Sequence, residues 1–400
     1  MDASVGISLS VEEIKKIVKE LYLAGDRDTV LLLGPPGVGK SMMVRELAEE
    51  LAQRLGKEFI EYNDLNADEI LKNPQKYFVL VDFRMTEVEP SDLIGIPRDE
   101  NGTVVYKPLK WAVVLNKCAG ILFLDEITNV VRPDLQNAMY KITLDRKVGF
   151  IPLNKDVLVI AAGNTPEYSS TAVSLPAPLA NRMSIYYVRA PTLEEWKEFM
   201  ERTYGDNWDK RVYAFLQRFR NENFFIRTPQ NSETLEQFPT PRSWTKLALI
   251  SHKIKDFEQL KAIVMSKVGR EAGAHFITFI KVKVPEIEEL IKKPELFNNL
   301  KDDAKYIVAV QLSGVLEEIG KLMKDRKQYE SEKLALKVLP LLKQIFKSNR
   351  EILTLSFSLV KMIYKPYLAQ IIVTVKEYQE IYNYLRKHLF LSQKLKNIDF

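Results

Sequence analysis

The chain has 400 residues, 46% of them hydrophobic, and at about 150 residues per domain this predicts two or three domains with sizeable cores. A single cysteine, Cys118, excludes a disulfide framework, and three histidines without a Cys or carboxylate cluster beside them argue against a structural metal site. The net charge of +5 is small for the length and uneven, since residues 301–400 hold 18 basic against 11 acidic side chains; solvated helix faces account for such an excess without any special partner.

Met1-Asp2-Ala3-Ser4 is no basic-then-apolar leader, and no uncharged apolar run reaches the roughly 18 to 20 residues that a membrane span needs, so a cytoplasmic protein is expected. An amphipathic helix is predicted over 11–23. Val30, Leu31, Leu32 and Leu33 then form an apolar run of the kind buried in a parallel sheet.

Gly34-Pro35-Pro36-Gly37-Val38-Gly39-Lys40-Ser41 follows that run directly and fits the phosphate-loop pattern G-x-x-x-x-G-K-[ST], with Met42 opening a helix over 42–55. The glycines let the backbone curl so that successive N–H groups face phosphate oxygens, and the helix start adds the positive end of its dipole. In this reading Lys40 reaches the β and γ phosphates and the Ser41 hydroxyl ligates Mg²⁺. A second buried strand, Gly120-Ile121-Leu122-Phe123-Leu124, delivers Asp125 and Glu126 at its carboxyl end, where ligands of open α/β sheets bind. Asp125 is the expected magnesium partner, and Glu126 the residue that orients and polarises the attacking water. The guanine-reading segment Asn-Lys-x-Asp has no full match, because Asn116-Lys117-Cys118-Ala119 lacks the Asp, so ATP is favoured over GTP.

Between and beyond these motifs the chain resembles the AAA+ ATPases of the MoxR-like, dynein-related branch, over residues 9–281. Pro90-Ser91-Asp92-Leu93-Ile94-Gly95 is similar to the stretch entering the branch's helix 2 insert, and Asp99-Glu100-Asn101-Gly102 between apolar positions reads as the insert's hairpin turn. A further hairpin, expected over 145–156 around Gly149 and Pro152, sits where related motors carry one facing the ring pore. The strand Val157-Leu158-Val159-Ile160-Ala161-Ala162 ends in Gly163-Asn164-Thr165-Pro166, and the resemblance makes Asn164 the sensor 1 amide, which hydrogen-bonds both the γ phosphate and the attacking water.

Pro178-Leu179-Ala180-Asn181-Arg182-Met183 resembles the segment whose arginine reaches a neighbouring subunit's γ phosphate. The family's usual Asp-Arg-Phe is here Asn181-Arg182-Met183, which alters the flanks of Arg182 and keeps Arg132 and Arg189 open as alternative fingers. Pro239-Thr240-Pro241-Arg242-Ser243-Trp244 opens a helix and resembles sensor 2, so the likeness implies that Arg242 acts on the same nucleotide from a lid.

The expected architecture is α/β: a P-loop NTPase core of doubly wound parallel strands over 1–190, a helical lid over 191–283 and an all-helical extension over 284–400. Helices are predicted over 193–204, 210–220, 242–254 and 257–280. A linker marked by Val284-Pro285 and Lys293-Pro294 comes next, then helices over 302–323, 332–346, 351–364 and 367–390. Tyr364, Tyr367, Tyr378, Tyr382, Tyr384 and Phe390 in the extension are read as core and partner-facing residues in preference to base-stacking ones, so nucleic acid is the weaker partner.

Function follows from the resemblance: ATP hydrolysis with Mg²⁺ in a self-assembled ring, expected as a hexamer, that remodels a partner protein. In this branch the partner typically carries a von Willebrand factor A domain. A nucleotide-switched scaffold with slow turnover and a nucleic-acid-associated motor are the competing readings.

Overall fold

The computed structural model describes residues 7–165, 182–227 and 237–388. The chain divides into two compact units, 1–191 and 192–400.

The first unit is a seven-stranded sheet in the order β1-β11-β2-β10-β7-β4-β3, with every pair parallel. Its strands are β1 (Ser8–Leu9), β2 (Thr29–Leu33), β3 (Glu58–Glu61), β4 (Tyr77–Arg84), β7 (Ala119–Asp125), β10 (Val157–Gly163) and β11 (Met183–Val188). Two short hairpins lie outside it, β5 (Ile96–Glu100) with β6 (Thr103–Lys107), and β8 (Lys147–Val148) with β9 (Ile151–Pro152). Among the described residues its α-helices are α1 (Val11–Leu23), α2 (Lys40–Arg54), α3 (Ala67–Lys72), α4 (Pro90–Ile94), α5 (Lys110–Lys117) and α6 (Pro133–Asp145).

The central strands read as continuous apolar runs because both of their faces are covered. Val30, Leu32, Ile121, Phe123, Leu158 and Ile160 point to one core with Ile14 and Val18 of α1 and Val44, Leu47 and Leu51 of α2. The alternate residues Leu31, Leu122, Leu124, Val159 and Ala161 point to the other core, against Ala112 and Leu115 of α5 and Met139 and Ile142 of α6. The period of two along each strand therefore sorts residues between two buried layers. Helix α1 begins where the sequence predicts, at a capping box: Ser10 Oγ accepts from the Glu13 N–H at 3.2 Å, and the Ser10 N–H donates to the Glu13 carboxylate at 2.8 Å. The predicted β5–β6 turn is the two-residue Asn101-Gly102 loop, with φ of 56° and 81°, the left-handed pair that matches the twist of a hairpin.

The second unit is all-helical among its described residues. Its first helix, Leu193–Tyr204, is capped by Thr192, and Pro241–Ser251 is capped by Thr240 with proline at its first position. Four expectations change here, the first being that the helix predicted over 351–364 is Arg350–Ser358 and stops six residues early. The predicted helix over 257–280 is two, Phe257–Val268 and Arg270–Ile280, because Gly269 at φ 83° breaks the ladder. Any side chain at Gly269 would also meet the Gln237 carbonyl at 2.2 Å. The region read as a linker contains the helix Ile287–Lys292, with Leu290 fully buried and Phe297 just beyond it. The predicted 367–390 helix is divided into Lys365–Thr374 and Gln379–His388 by a 3₁₀ turn that sinks Tyr378 into the core, its hydroxyl donating to the Ala335 carbonyl at 2.7 Å. One hydrophobic cluster runs from Trp196 to Leu385.

Candidate nucleotide site

The site lies at the carboxyl ends of three adjacent strands of the first unit, β2, β10 and β7. Strand β2 stops at Leu33, and the loop 34–39 turns the chain into α2. Two of its glycines, Gly37 at φ 74° and Gly39 at φ 104°, adopt left-handed backbone. Gly34 is required for a different reason: a Cβ there would lie 2.3 Å from the Val188 carbonyl oxygen of β11. Gly39 caps α2 without a side-chain acceptor, so no cap side chain satisfies the first-turn N–H groups of α2, the donors that a phosphate at a helix start uses. Pro35 and Val38 are buried, Val38 against the α1–α2 core, while Pro36 is half-buried and Met42 is exposed.

The side chains predicted from sequence converge here. Lys40, buried, donates from Nζ to the carbonyls of Gly34 at 2.8 Å and Pro35 at 2.9 Å and to Asn164 Oδ1 at 3.2 Å. Ser41 Oγ donates to Asp125 Oδ2 at 2.8 Å, and the other oxygen of Asp125 accepts from the Glu126 N–H at 2.9 Å. Asn164 begins just past the end of β10, and its own N–H donates to Thr128 Oγ1 at 2.9 Å. Because Lys40 and Ser41 are neighbours in sequence, and Thr128 stands three residues after Asp125, these bonds close a circuit through the phosphate loop, the acidic segment and the sensor strand.

Glu126 sits in left-handed backbone at φ 62°, which an L residue bearing a Cβ adopts only when its surroundings hold it there. Its carboxylate accepts from Thr86 Oγ1 at 3.0 Å and has Arg84 Nε at 3.8 Å. Asp82, also on β4, has its carboxyl pushed up to about 6 by desolvation and then by the Asp125 carboxylate. Two carboxylates, Asp82 and Asp125, are thus close enough at this end of the sheet to oppose each other's ionisation. Ser41 and Asp125 present two hard oxygen donors side by side, a set that suits Mg²⁺, which keeps most of its waters and takes one or two protein ligands.

Thr86, Arg84 and Thr128 were not legible as site residues in sequence. Arg84 ends β4 and Thr86 lies in the turn just after it, and both come to Glu126 through the register that pairs Arg84 with Asp125. Arg182 is exposed and immediately precedes β11; residues 178–181 lie outside the described residues. Arg132 pairs with Glu89 at 2.8 Å and Asp134 at 3.0 Å, and Arg189 with Glu13 at 3.7 Å. Arg242 is exposed in the first turn of Pro241–Ser251, in the second unit.

Residues 30–187 match the family described as ATPase family associated with various cellular activities, and the match spans the loop, the acidic segment and Asn164. The first unit carries an AAA domain. No curated protein matches the chain. Among solved structures, a RuvB mutant of Thermotoga maritima is 16% identical, covering 90% of this chain and 87% of its own, with a TM-score of 0.35. The ORC2 protein of Aeropyrum pernix is 12% identical over 93% of this chain and 96% of its own, at a TM-score of 0.36. PCH-2 of C. elegans is 14% identical over 67% of each chain, at a TM-score of 0.31. The sequence match coincides with the parallel sheet that bears the phosphate loop. No described helix is long and apolar enough to cross a membrane.

Proposed function

We propose that the AAA domain binds and hydrolyses ATP and that the chain belongs to the MoxR-like branch, working as a ring, hexameric by the branch's habit, that remodels a partner protein or complex. The observation that carries this reading is the hydrogen-bonded circuit of Lys40, Asn164, Thr128, Asp125 and Ser41, which assembles a phosphate-binding amine, an amide, a carboxylate and a hydroxyl around one loop.

In the proposed mechanism the loop N–H groups and Lys40 bind the β and γ phosphates. Ser41 and Asp125 hold Mg²⁺, which supplies charge neutralisation at the phosphates. Glu126 orients the attacking water and takes its proton, and Asn164 fixes both that water and the γ phosphate. Arg182 is the proposed finger for a neighbour's nucleotide, since Arg132 and Arg189 are each engaged by carboxylates of their own unit. Arg242 is the proposed sensor 2, on a lid over 191–283. The Trp196–Leu385 cluster that joins this lid to the extension over 284–400 supports a second unit that moves as one lever.

The aromatics of the extension weaken the nucleic-acid alternative. Tyr378 is 1% exposed, and Tyr364, Tyr382 and Tyr384 pack against the helical core, with Tyr384 edge-on to Phe346 at 5.5 Å. A partner with a von Willebrand factor A domain is carried over from the branch alone.

The test is ATP turnover per subunit as a function of protein concentration, with GTP in parallel. A finger supplied in trans predicts a steep rise to a plateau, and the lack of a full Asn-Lys-x-Asp segment predicts less turnover of GTP than of ATP. Turnover per subunit that stays constant from nanomolar to micromolar protein would refute the ring-completed site.

A further inference from the structure

We infer that Thr128 is a positioning residue for hydrolysis, acting through Asn164; the inference rests on the proposed sensor role of that amide. Strand β10 ends at Gly163, so the Asn164 N–H has no ladder partner and needs an acceptor. Thr128 Oγ1 provides it at 2.9 Å. Thr128 is itself 4% exposed and sits in the 3₁₀ turn Ile127–Asn129, and its chain neighbour Ile127 and the following Val130 are buried in one of the two cores of the unit. The acceptor therefore stands on an anchored turn.

That turn begins at Glu126, whose left-handed backbone is tied to Asp125 through its N–H. Two residues further on, Thr128 holds the backbone of the amide that would share the attacking water with Glu126. Gly163 completes the fit, because a Cβ there would lie 2.5 Å from Thr128 Cγ2 and 2.9 Å from Oγ1, so only glycine lets the strand end approach this closely. In the proposed mechanism Thr128 acts only through the Asn164 backbone. It sets the separation of Glu126 and Asn164, the two groups that must meet one water molecule, and misplacing such a pair slows the chemical step more than it weakens binding.

Valine at position 128 keeps the shape and removes the acceptor, whereas serine keeps the acceptor and removes the methyl. The expected results are that Thr128→Val lowers kcat about 10-fold, the size of one lost hydrogen bond, with KM and ATP affinity within about 2-fold of the parent. Thr128→Ser should recover most of that kcat. Action through Asn164 further requires that Thr128→Val add little to Asn164→Ala in the double variant. Independent, multiplicative losses, or an ATP affinity that falls in step with kcat, would overturn the inference while leaving the sensor role in place. An Asn164→Ala variant with unchanged kcat would overturn both, and the two failures are thus told apart by the single variants.

Discussion

Gly163→Ala isolates one packing contact in the middle of the sheet. Gly163 lacks positive φ, so alanine meets no backbone penalty there, and the cost comes from its new Cβ facing Thr128 Cγ2 at 2.5 Å and Oγ1 at 2.9 Å. Neither side yields freely: β10 is hydrogen-bonded to β2 and β7, and the Thr128 side chain is short, branched and buried. Inserting a methyl into such a site costs about 1–3 kcal/mol, which lowers Tm by about 3–10 °C for a unit of this size. Thermal melts of the single variants and of the Gly163→Ala/Thr128→Ala double variant provide the assay. Alanine at 128 removes both clashing atoms and leaves Thr128 Cβ's position 3.2 Å from the new methyl, so the double variant should be at least about 1 kcal/mol more stable than the sum of the singles predicts. Turnover should stay low in the double variant, because the Asn164 N–H has then lost its acceptor. An unchanged Tm for Gly163→Ala, or strictly additive losses, would refute the argument from close approach.

Three other variants test the site and the helical unit. Lys40→Ala should abolish nucleotide binding measured by fluorescence titration, while Glu126→Gln should retain binding and lose turnover by about 10²–10⁴-fold; normal hydrolysis by Glu126→Gln would show that another group positions the water. In the second unit, burial first and the Lys197 ammonium second lower Lys365 from 10.5 to about 8. The unfolded chain then binds more protons than the folded one between these values, so this residue's penalty is full below pH 8 and disappears as pH rises toward 10.5. Lys365→Met should therefore stabilise the protein at pH 7, by about 1–2 kcal/mol after solvent screening and the lost bond to the Ser358 carbonyl are discounted. Denaturant melts at pH 7 and pH 10 should show the gain shrinking, and a pH-independent gain would point to packing instead.

What the sequence determined by itself was everything encoded in contiguous residues. The phosphate loop, the apolar strand ending in Asp125-Glu126, the amphipathic helix over 11–23 and the Asn101-Gly102 turn each depend on local backbone chemistry, and each is where the periodicity and turn residues placed it. The helices of the second unit were legible in kind but not in their breaks. The interruption at Gly269 comes from a glycine in left-handed backbone, a local stop signal that continuous helical periodicity on both sides conceals, while the one before Tyr378 is set by a core into which its ring must fit, far from it in sequence. The same limit hid Thr86, Arg84 and Thr128. A threonine or arginine carries no signal until strand register sets β4 beside β7 and β10 ends against the turn that follows Glu126. Tertiary structure alone decided which polar groups meet, because hydrogen bonds act over about 3 Å and the chain positions that supply them lie tens of residues apart.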